Sequence, residues 1–216
     1  MANFPTTFAD KPVHLQRNGF YDIQSNDALR QLSEIDLVVV AGITPADVPQ
    51  MANIATQDGV REFCPKDIAS RWGDVNMAEA QLKKGGGRAA FLLKEVLTDA
   101  VAGYGWTGHE PCDELPGYPV TFAVRLHEDY RGKHLAAPFS RVIVAGSMAL
   151  YGARGIGLET WASNTGAVRS YLASGAELVT TRDDVRPTLK PEPGDIDGKR
   201  RDVRLFMKWP HTLKAE

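Results

Sequence analysis

The stretch Val120–Ala136, VTFAVRLHEDYRGKHLA, decides the fold. Its first half, Val120–Leu126, has the β-branched and alternating pattern of a strand. A basic turn, Arg131-Gly132-Lys133, then leads to an apolar helical pattern over Ala137–Tyr151, with Pro138 in its first turn. Such a junction presents unpaired main-chain N–H groups and the positive end of a helix dipole. It therefore predicts a phosphate or diphosphate site.

The turn alone does not define a function. A structural turn capped by basic side chains would have the same composition, and both interpretations stay open at this point. No Gly-Lys-Ser/Thr follows four variable residues, so the turn is not a Walker loop. GARGIG at 152–157 follows a helix and precedes a strand, the reverse of the order in dinucleotide-binding sites.

The elements on either side of this junction predict one sheet. Before the junction we expect a strand at Asp36–Ala41, then three helices: one that ends at Thr56, one that begins at Gly59 and one over Asn76–Lys84. Two strands follow, Arg88–Thr98 and Ala100–Trp106, joined by a tight turn at Thr98-Asp99, and then a loop over 107–117. After the junction we expect a strand at Gly157–Ala162, a helix from Ser163 or Asn164 to Ser174, a strand at Glu177–Thr181, a loop over 186–200 and a strand at Asp202–Trp209. This order predicts an α+β, sandwich-like domain with a single mixed, mainly antiparallel sheet flanked by helices.

Length and charge bound the class of protein. The 216 residues predict one large domain, over 34–216, behind an N-terminal arm of uncertain order over 1–33. Lys+Arg 25 nearly balance Asp+Glu 27, whereas a nucleic-acid-binding protein usually has a basic excess. The apolar run Leu37–Ile43 is too short to span a bilayer, and two cysteines are too few for a disulfide scaffold or structural zinc. We expect a cytoplasmic protein without metal, nucleic-acid or membrane partners.

Two motifs together resemble the GNAT superfamily of N-acetyltransferases. YRGKHLA at 130–136 is similar to the family's phosphate loop, Arg/Gln-x-x-Gly-x-Gly/Ala, with Arg131 first and Ala136 last. ETWASNTGAVRSYLASGAE at 159–177 resembles the strand–Asn–helix–Tyr–Gly segment that follows in these enzymes. The resemblance covers roughly residues 35 to 209. It implies the GNAT-like acyl-CoA acyltransferase fold and transfer of an acetyl group from acetyl-CoA to a primary amine by direct attack.

The resemblance also implies where the coenzyme binds. Strand Val120–Leu126 should separate from its neighbour and expose main-chain groups to the pantetheine arm and the thioester, whose carbonyl an N–H would polarise. Asn164 has two compatible roles, as a helix N-cap and as a coenzyme contact. The residues expected to bind coenzyme are Val124, Leu126, Arg131, Gly132, Lys133, His134, Leu135, Ala136 and Asn164.

One residue departs from the family pattern. His134 stands where the loop has its middle glycine, and a side chain restricts the backbone there. Either His134 adopts ordinary helical geometry and still offers its N–H to phosphate, or the loop binds coenzyme A weakly or not at all. The second outcome would favour a non-catalytic acyl-CoA-binding or interaction module with the same fold. A nucleotide-binding protein with unrelated chemistry is a third hypothesis.

The catalytic residues follow from the second motif. Tyr171 shares a helix face with Asn164 and is expected to be the general acid that protonates the departing thiolate, since a phenol stays protonated at neutral pH. Glu159 is the candidate general base. The sequence leaves open four other bases, and also a bound water that relays the proton: His109, Glu110, His127 and Glu128.

The resemblance also implies where the acceptor binds: between the first helices, at roughly 45–75, the turn at 98–99 and the loop over 186–200. Nothing in these segments singles out one amine. A homodimer is the commonest assembly for a soluble protein, and it is the default expectation here.

Overall fold

The structure is a computed structural model that describes residues 7–9, 13–15, 23–152 and 155–209. Its strands are β1 (Val13–Leu15), β2 (Leu37–Ala41), β3 (Ala89–Glu95), β4 (Val101–His109), β5 (Val120–Leu126), β6 (Ile156–Trp161), β7 (Glu177–Pro187) and β8 (Lys199–Trp209). They form one sheet in the order β1-β2-β3-β4-β5-β6-β8-β7. Every pairing is antiparallel except that of β5 with β6. The predicted single mixed, mainly antiparallel sheet is confirmed.

Helices cover both faces of the sheet. They are α1 (Ile23–Ser33), α2 (Val48–Thr56), α3 (Asp58–Arg61), α4 (Lys66–Ser70), α5 (Val75–Lys83), α6 (Ala136–Tyr151) and α7 (Thr165–Ala173). One apolar core joins the sheet to α1, α6 and α7, and a second joins it to the layer made by α2–α5. No helix in the described ranges is both long and apolar enough to cross a membrane.

The parallel pair is the irregular part of the sheet. β5 and β6 share only two pairs, Val120 with Ile156 and Thr121 with Gly157. β5 continues to Leu126 and β6 to Trp161, but β6 stays paired with β8 along its whole length. The two strands therefore diverge beyond Thr121, and a gap opens in the middle of the sheet, as the resemblance implies.

Helix α6 holds the sheet beside this gap. Phe139, Val142 and Ile143 are fully buried along its inner face, as the helical spacing of apolar residues predicts. The helix approaches β4 closely because Gly105 has no side chain: an added Cβ would overlap Ile143 Cδ1 and lie 2.8 Å from the Ala123 carbonyl oxygen. This packing fixes the start of α6, and with it the basic turn, against the end of β5.

Two loops are shorter than the sequence predicts. β4 runs to His109 rather than Trp106, because Thr107 pairs with Phe122 of β5 and its buried hydroxyl hydrogen-bonds Ser147, 2.7 Å away. The loop expected over 186–200 narrows to 188–198, since β7 and β8 form a long polar hairpin. Cross-strand ion pairs stabilise that hairpin, with Arg186 Nε 2.8 Å from Asp202 Oδ2.

Part of the N-terminal arm expected over 1–33 forms a helix that packs in the core. Residues 23–33 form α1, whose Ala28, Leu29 and Leu32 are buried in the core shared with α6, so the boundary expected at residue 34 falls inside the folded core. β1 adds a short strand beside β2. The rest of the arm expected over 1–33 lies outside the described residues, apart from 7–9.

Replacing Gly105 with alanine should destabilise the fold by about 1–3 kcal/mol, because the new methyl group is forced into Ile143 and the β5 main chain. Urea unfolding followed by circular dichroism measures this change. Gly166→Ala is the matched control: no atom lies within 4 Å of the added Cβ in α7, so stability should be unchanged or rise by up to about 1 kcal/mol. Equal stability of Gly105→Ala and the wild type would contradict the close packing of α6.

Candidate active site

The turn before α6 presents free main-chain donors. No described residue accepts a hydrogen bond from the N–H groups of residues 132–137. Leu135 is the N-cap of α6 and supplies no side-chain cap, and the first helical bond runs from the Phe139 N–H to the Leu135 carbonyl at 3.1 Å. Residues 131–134 are exposed. Free N–H donors in front of the positive end of a helix, here one of 16 residues, are an arrangement that favours negative charge.

His134 does not adopt the ordinary helical geometry expected for it. Its φ is +59°, in the left-handed region that glycine occupies freely, and Gly132 has φ +75°. Histidine tolerates this region better than most residues, at a cost in strain. The backbone path that a glycine would give is therefore kept, so the departure from the family pattern changes the side chain rather than the course of the turn.

The two basic side chains of the turn have different surroundings. Arg131 folds back, donating from Nε to the Leu126 carbonyl at 3.1 Å and from Nη2 to Gln57 Oε1 at 2.8 Å. Burial lowers the pKa of its guanidinium. Arg131 thus ties the turn to the end of β5. Lys133 remains exposed, with Nζ 5.1 Å from the centre of the Tyr130 ring, and is placed to attract an anion.

Tyr130 anchors the turn to the neighbouring strands. Its hydroxyl donates to the Glu95 carboxylate at the end of β3. This hydrogen bond raises the pKa of Tyr130 to about 12, with burial adding to the shift. The same bond, after one from Thr98, lowers the pKa of Glu95.

Along the edge of β5 that faces the gap, every second residue directs its main-chain N–H and C=O groups away from β4. The His127 N–H donates to the Ala102 carbonyl at 2.9 Å, so odd-numbered residues of β5 bond β4 and even-numbered residues point their main-chain groups towards β6. Beyond Thr121 the outward residues are Phe122, Val124 and Leu126. The Leu126 carbonyl accepts from Arg131 and the Val124 carbonyl from Arg125 Nη1 at 2.8 Å, and the Val124 N–H is directed into the gap, towards the Tyr171 hydroxyl.

Tyr171 reaches this same point from α7. Its side chain is 7% exposed and packs edge-to-face against Phe122 and Trp209, at centroid distances of 5.8 and 6.0 Å. Burial raises the pKa of Tyr171 to about 12, opposed by the positive charge of Arg125 and by a hydrogen-bonding interaction with the Val124 main chain. The phenol is therefore protonated at neutral pH and lies beside the strand edge that would hold a thioester.

Asn164 orients the helix that carries Tyr171. It is the N-cap of α7, and its Oδ1 accepts from the Ala167 N–H at 3.4 Å. The residue therefore has the structural role that the sequence offers for it. Contact with a coenzyme remains a prediction.

Three of the candidate bases, Glu159, Glu110 and His127, lie next to charged side chains. Glu159 is 51% exposed on β6 and ion-paired with Arg204 at 2.6 Å. Glu110 is bonded to Arg88 at 2.8 Å, and His127 lies 3.4 Å from Asp129. The Glu128 side chain is exposed at the end of the loop. The structure brings none of these side chains into contact with Tyr171.

A buried polar cluster on the α2–α5 side of the gap has no counterpart in the sequence analysis. Asp67 is fully buried in α4 and accepts from Arg125 Nε at 2.7 Å, from Tyr104 Oη at 3.0 Å and from Arg71 Nη1 at 2.9 Å. Arg125 lies between Val124 and Leu126 in sequence. Helix α4 has five residues, too few to show a helical period, so no pattern predicts Asp67.

Comparisons with known proteins agree on the fold. No protein-family model and no curated protein sequence matches the chain. Among solved structures, a phosphinothricin acetyltransferase of the GNAT superfamily from Sinorhizobium meliloti, in complex with acetyl-CoA, is 16% identical and has a TM-score of 0.62, covering 81% of this chain and 88% of its own. A Vibrio cholerae spermidine N-acetyltransferase with CoA and spermine is 14% identical, TM-score 0.60, covering 81% and 95%.

A third structure, a GCN5-related N-acetyltransferase from Kribbella flavida, is 14% identical with a TM-score of 0.57, and the match covers 82% of this chain and 99% of that one. Identities this low establish the architecture and not the activity. The chain has the GNAT acetyltransferase fold, as the two sequence motifs imply.

The strain at His134 gives a direct test of the turn. His134→Gly should raise the free energy of unfolding by up to about 1 kcal/mol, because relief of the left-handed conformation outweighs the added freedom of the unfolded chain. Gly132→Ala should lower it by about 1 kcal/mol, since φ is +75° there and nothing lies within 4 Å of the new Cβ. Chemical denaturation checks both. Changes of the same sign would show that the turn has a different conformation.

Proposed function

We propose that the protein is an acetyl-CoA-dependent N-acetyltransferase whose acceptor is a primary amine. The observation that carries the proposal is the row of unpaired N–H groups at 132–137, in the turn that Arg131 ties to the Leu126 end of β5, where β5 is no longer paired with β6. Diphosphate would accept hydrogen bonds from these amides, in front of the positive end of α6. The neighbours crystallised with acetyl-CoA or CoA support this choice of coenzyme for the fold.

Different residues of the site would bind different parts of the coenzyme. Gly132, His134 and Ala136 offer main-chain N–H groups to the diphosphate, and Lys133 adds a positive charge. The pantetheine arm would extend the sheet along the free edge of β5, bonding the main chain of Val124. The thioester would then lie in the gap beside Tyr171.

The transfer needs a polarised carbonyl and a protonated leaving group. The Val124 N–H would stabilise the oxyanion that forms when the neutral amine attacks the thioester carbon; one such donor is worth about 3 kcal/mol. As the C–S bond breaks, Tyr171 gives its proton to the sulfur. The amine loses one proton to a base and the phenolate regains one from solvent, so that the products are the amide and free coenzyme thiol.

A second group accepts the proton that the amine loses. Glu159 lies on β6, the strand that forms the other side of the gap, and its ion pair with Arg204 would have to open before it acts as a base. A water chain does not need that change. In either case the base acts from the α2–α5 side, where the acceptor is proposed to enter.

The non-catalytic alternative loses its main support. It depended on His134 preventing the turn from following the glycine path, and His134 has a glycine-like φ. A titration still separates the hypotheses: tight acetyl-CoA binding without thiol release from any amine would favour an acyl-CoA-binding module, and tight ATP binding would favour a nucleotide-binding protein.

Coenzyme affinity should depend on the diphosphate. Isothermal titration calorimetry with CoA and with pantetheine, which lacks that group, should show CoA binding at least 100-fold more tightly, because each charge-assisted hydrogen bond is worth roughly 1.5–3 kcal/mol. ATP, which lacks the arm that pairs with β5, should bind more weakly than CoA. Similar affinities for CoA and pantetheine would remove the turn from the site.

Tyr171→Phe should lower kcat by roughly 10–10⁴-fold, because the departing thiolate loses its proton donor, while the Kd for acetyl-CoA changes little. Steady-state assays of thiol release and calorimetry measure the two quantities. Tyr118→Phe, a half-buried tyrosine next to Gly155 and Gly157, is the control and should keep wild-type kcat. If Tyr171→Phe is equally active, the phenol has no part in the chemistry.

A further inference from the structure

The α2–α5 face of the sheet contains buried hydrogen-bond donors without acceptors. Within the described part of the chain, Trp72 Nε1, Gln81 Nε2, Trp106 Nε1 and two guanidinium nitrogens of Arg88, Nε and Nη1, have no partner. The four side chains are between 0% and 5% exposed. Every atom in this group is an N–H donor. Buried donors are normally satisfied, so their complement is a group that offers acceptors alone.

Two arginine side chains of this face lie over the Trp106 ring. The stem of Arg88 lies over Gly108, and its guanidinium carbon is 4.3 Å from the centre of Trp106. Arg71 is 5.3 Å from the same ring. The Arg88 N–H donates to the Leu82 carbonyl at 2.6 Å, which brings α5, the helix of Gln81, against Arg88.

Trp72 lies on the same face of the sheet. It follows Arg71 in sequence and packs edge-on against Tyr104, with 6.0 Å between ring centres. Tyr104 and Trp106 are two residues apart on β4 and therefore project from the same face of the sheet.

The charges of this region are unbalanced. Asp67 is shared by Arg71 and Arg125. Glu110 is shared by Arg88, at 2.8 Å, and Lys84, at 3.7 Å. Four cations thus face two carboxylates. Burial lowers the pKa of Arg88, Glu110 opposes that shift and Arg71 adds to it, as expected where positive charges are close together without enough counter-charge.

We propose that this group binds an oxyanion, a carboxylate or a phosphate, carried by the acceptor. The inference rests on the proposed function: the acceptor is then an amine with an anionic group at its other end. Surroundings in which arginine cations and N–H donors outnumber the carboxylates recognise oxyanions. The partly exposed side chains of Arg71 and Glu110, 19% and 40%, mark the way in from solvent.

The position of the group sets the length of the acceptor. Trp106 pairs with Ala123 of β5, the neighbour of Val124, and Arg88 immediately precedes β3, one strand further. Strands are about 4.8 Å apart, so the anion lies roughly 5–10 Å from β5. An amine and a carboxylate separated by a chain of about five methylene groups span that distance.

A set of amines of equal length tests the inference. Thiol release from acetyl-CoA should show a kcat/KM for 6-aminohexanoate or 4-aminobutyl phosphate at least 10-fold above that for hexylamine or 1,5-diaminopentane; which of the first two is better identifies the oxyanion. Arg88→Gln should bring the ratio close to one. Arg30→Gln, the same change at an exposed position on α1, on the opposite face of the sheet, should keep the wild-type ratio. Preference for the uncharged amine or the diamine would overturn the inference while leaving the transferase activity intact.

Direct binding gives a readout that does not depend on turnover. Hexanoate and hexyl phosphate, which have no amine, should change tryptophan fluorescence, and the response should be lost in Trp106→Phe, which retains a ring without the Nε1–H. This variant also serves if Arg88→Gln does not fold. If no amine is acetylated but the Trp106-dependent response is present, the anion site stands and the proposed transferase activity fails. No response to either anion would overturn the site itself.

Discussion

The constraint on which the rest of the structure depends is the short parallel pairing of β5 with β6. Two residue pairs hold these strands together, and beyond Thr121 β6 remains with β8 while β5 remains with β4. Main-chain N–H and C=O groups need partners when they are buried. A strand that leaves its neighbour in mid-sheet therefore needs either solvent or a ligand along its free edge, and an extended ligand with amide groups fits that edge.

The surroundings of the gap make its two sides chemically different. On the side of α6 and α7, apolar side chains pack around Tyr171, and burial keeps its phenol protonated. On the side of α2–α5, Asp67, Arg125 and Tyr104 form a charged cluster, followed by the donors around Trp106. A reactive group bound in the gap would have the Tyr171 phenol, a proton donor, on one side and the charged cluster of Asp67 and Arg125 on the other.

Much of this arrangement could be predicted from the sequence because it is local. The strand–turn–helix junction at 120–138 and the Asn-capped helix leading to Tyr171 are short segments with characteristic residues, and both predictions of local structure are confirmed. The left-handed φ of His134 could not be predicted, because histidine normally avoids it. The turn keeps that conformation because α6 and Arg131 fix both of its ends.

Features that depend on distant pairing could not be predicted. The extension of β7 into residues 182–187 requires ion pairs with β8 that no local pattern shows, and the burial of Asp67 requires arginines from two other elements. The sequence did not predict helix α1, because its buried apolar residues, Ala28, Leu29 and Leu32, are few and lie in a polar stretch. Each of these elements is stabilised by contacts made only after the chain has folded.

The central claim is that the main-chain amides of residues 132–137 bind the diphosphate of the coenzyme. Nuclear magnetic resonance of ¹⁵N-labelled protein titrated with CoA tests it most directly. The account predicts saturable downfield shifts of the N–H resonances of Gly132, Lys133, His134, Leu135, Ala136 and Ala137, larger than those of the exposed hairpin at 188–198. Saturation of CoA binding with these resonances unmoved, or the absence of any CoA-dependent shift, would contradict it.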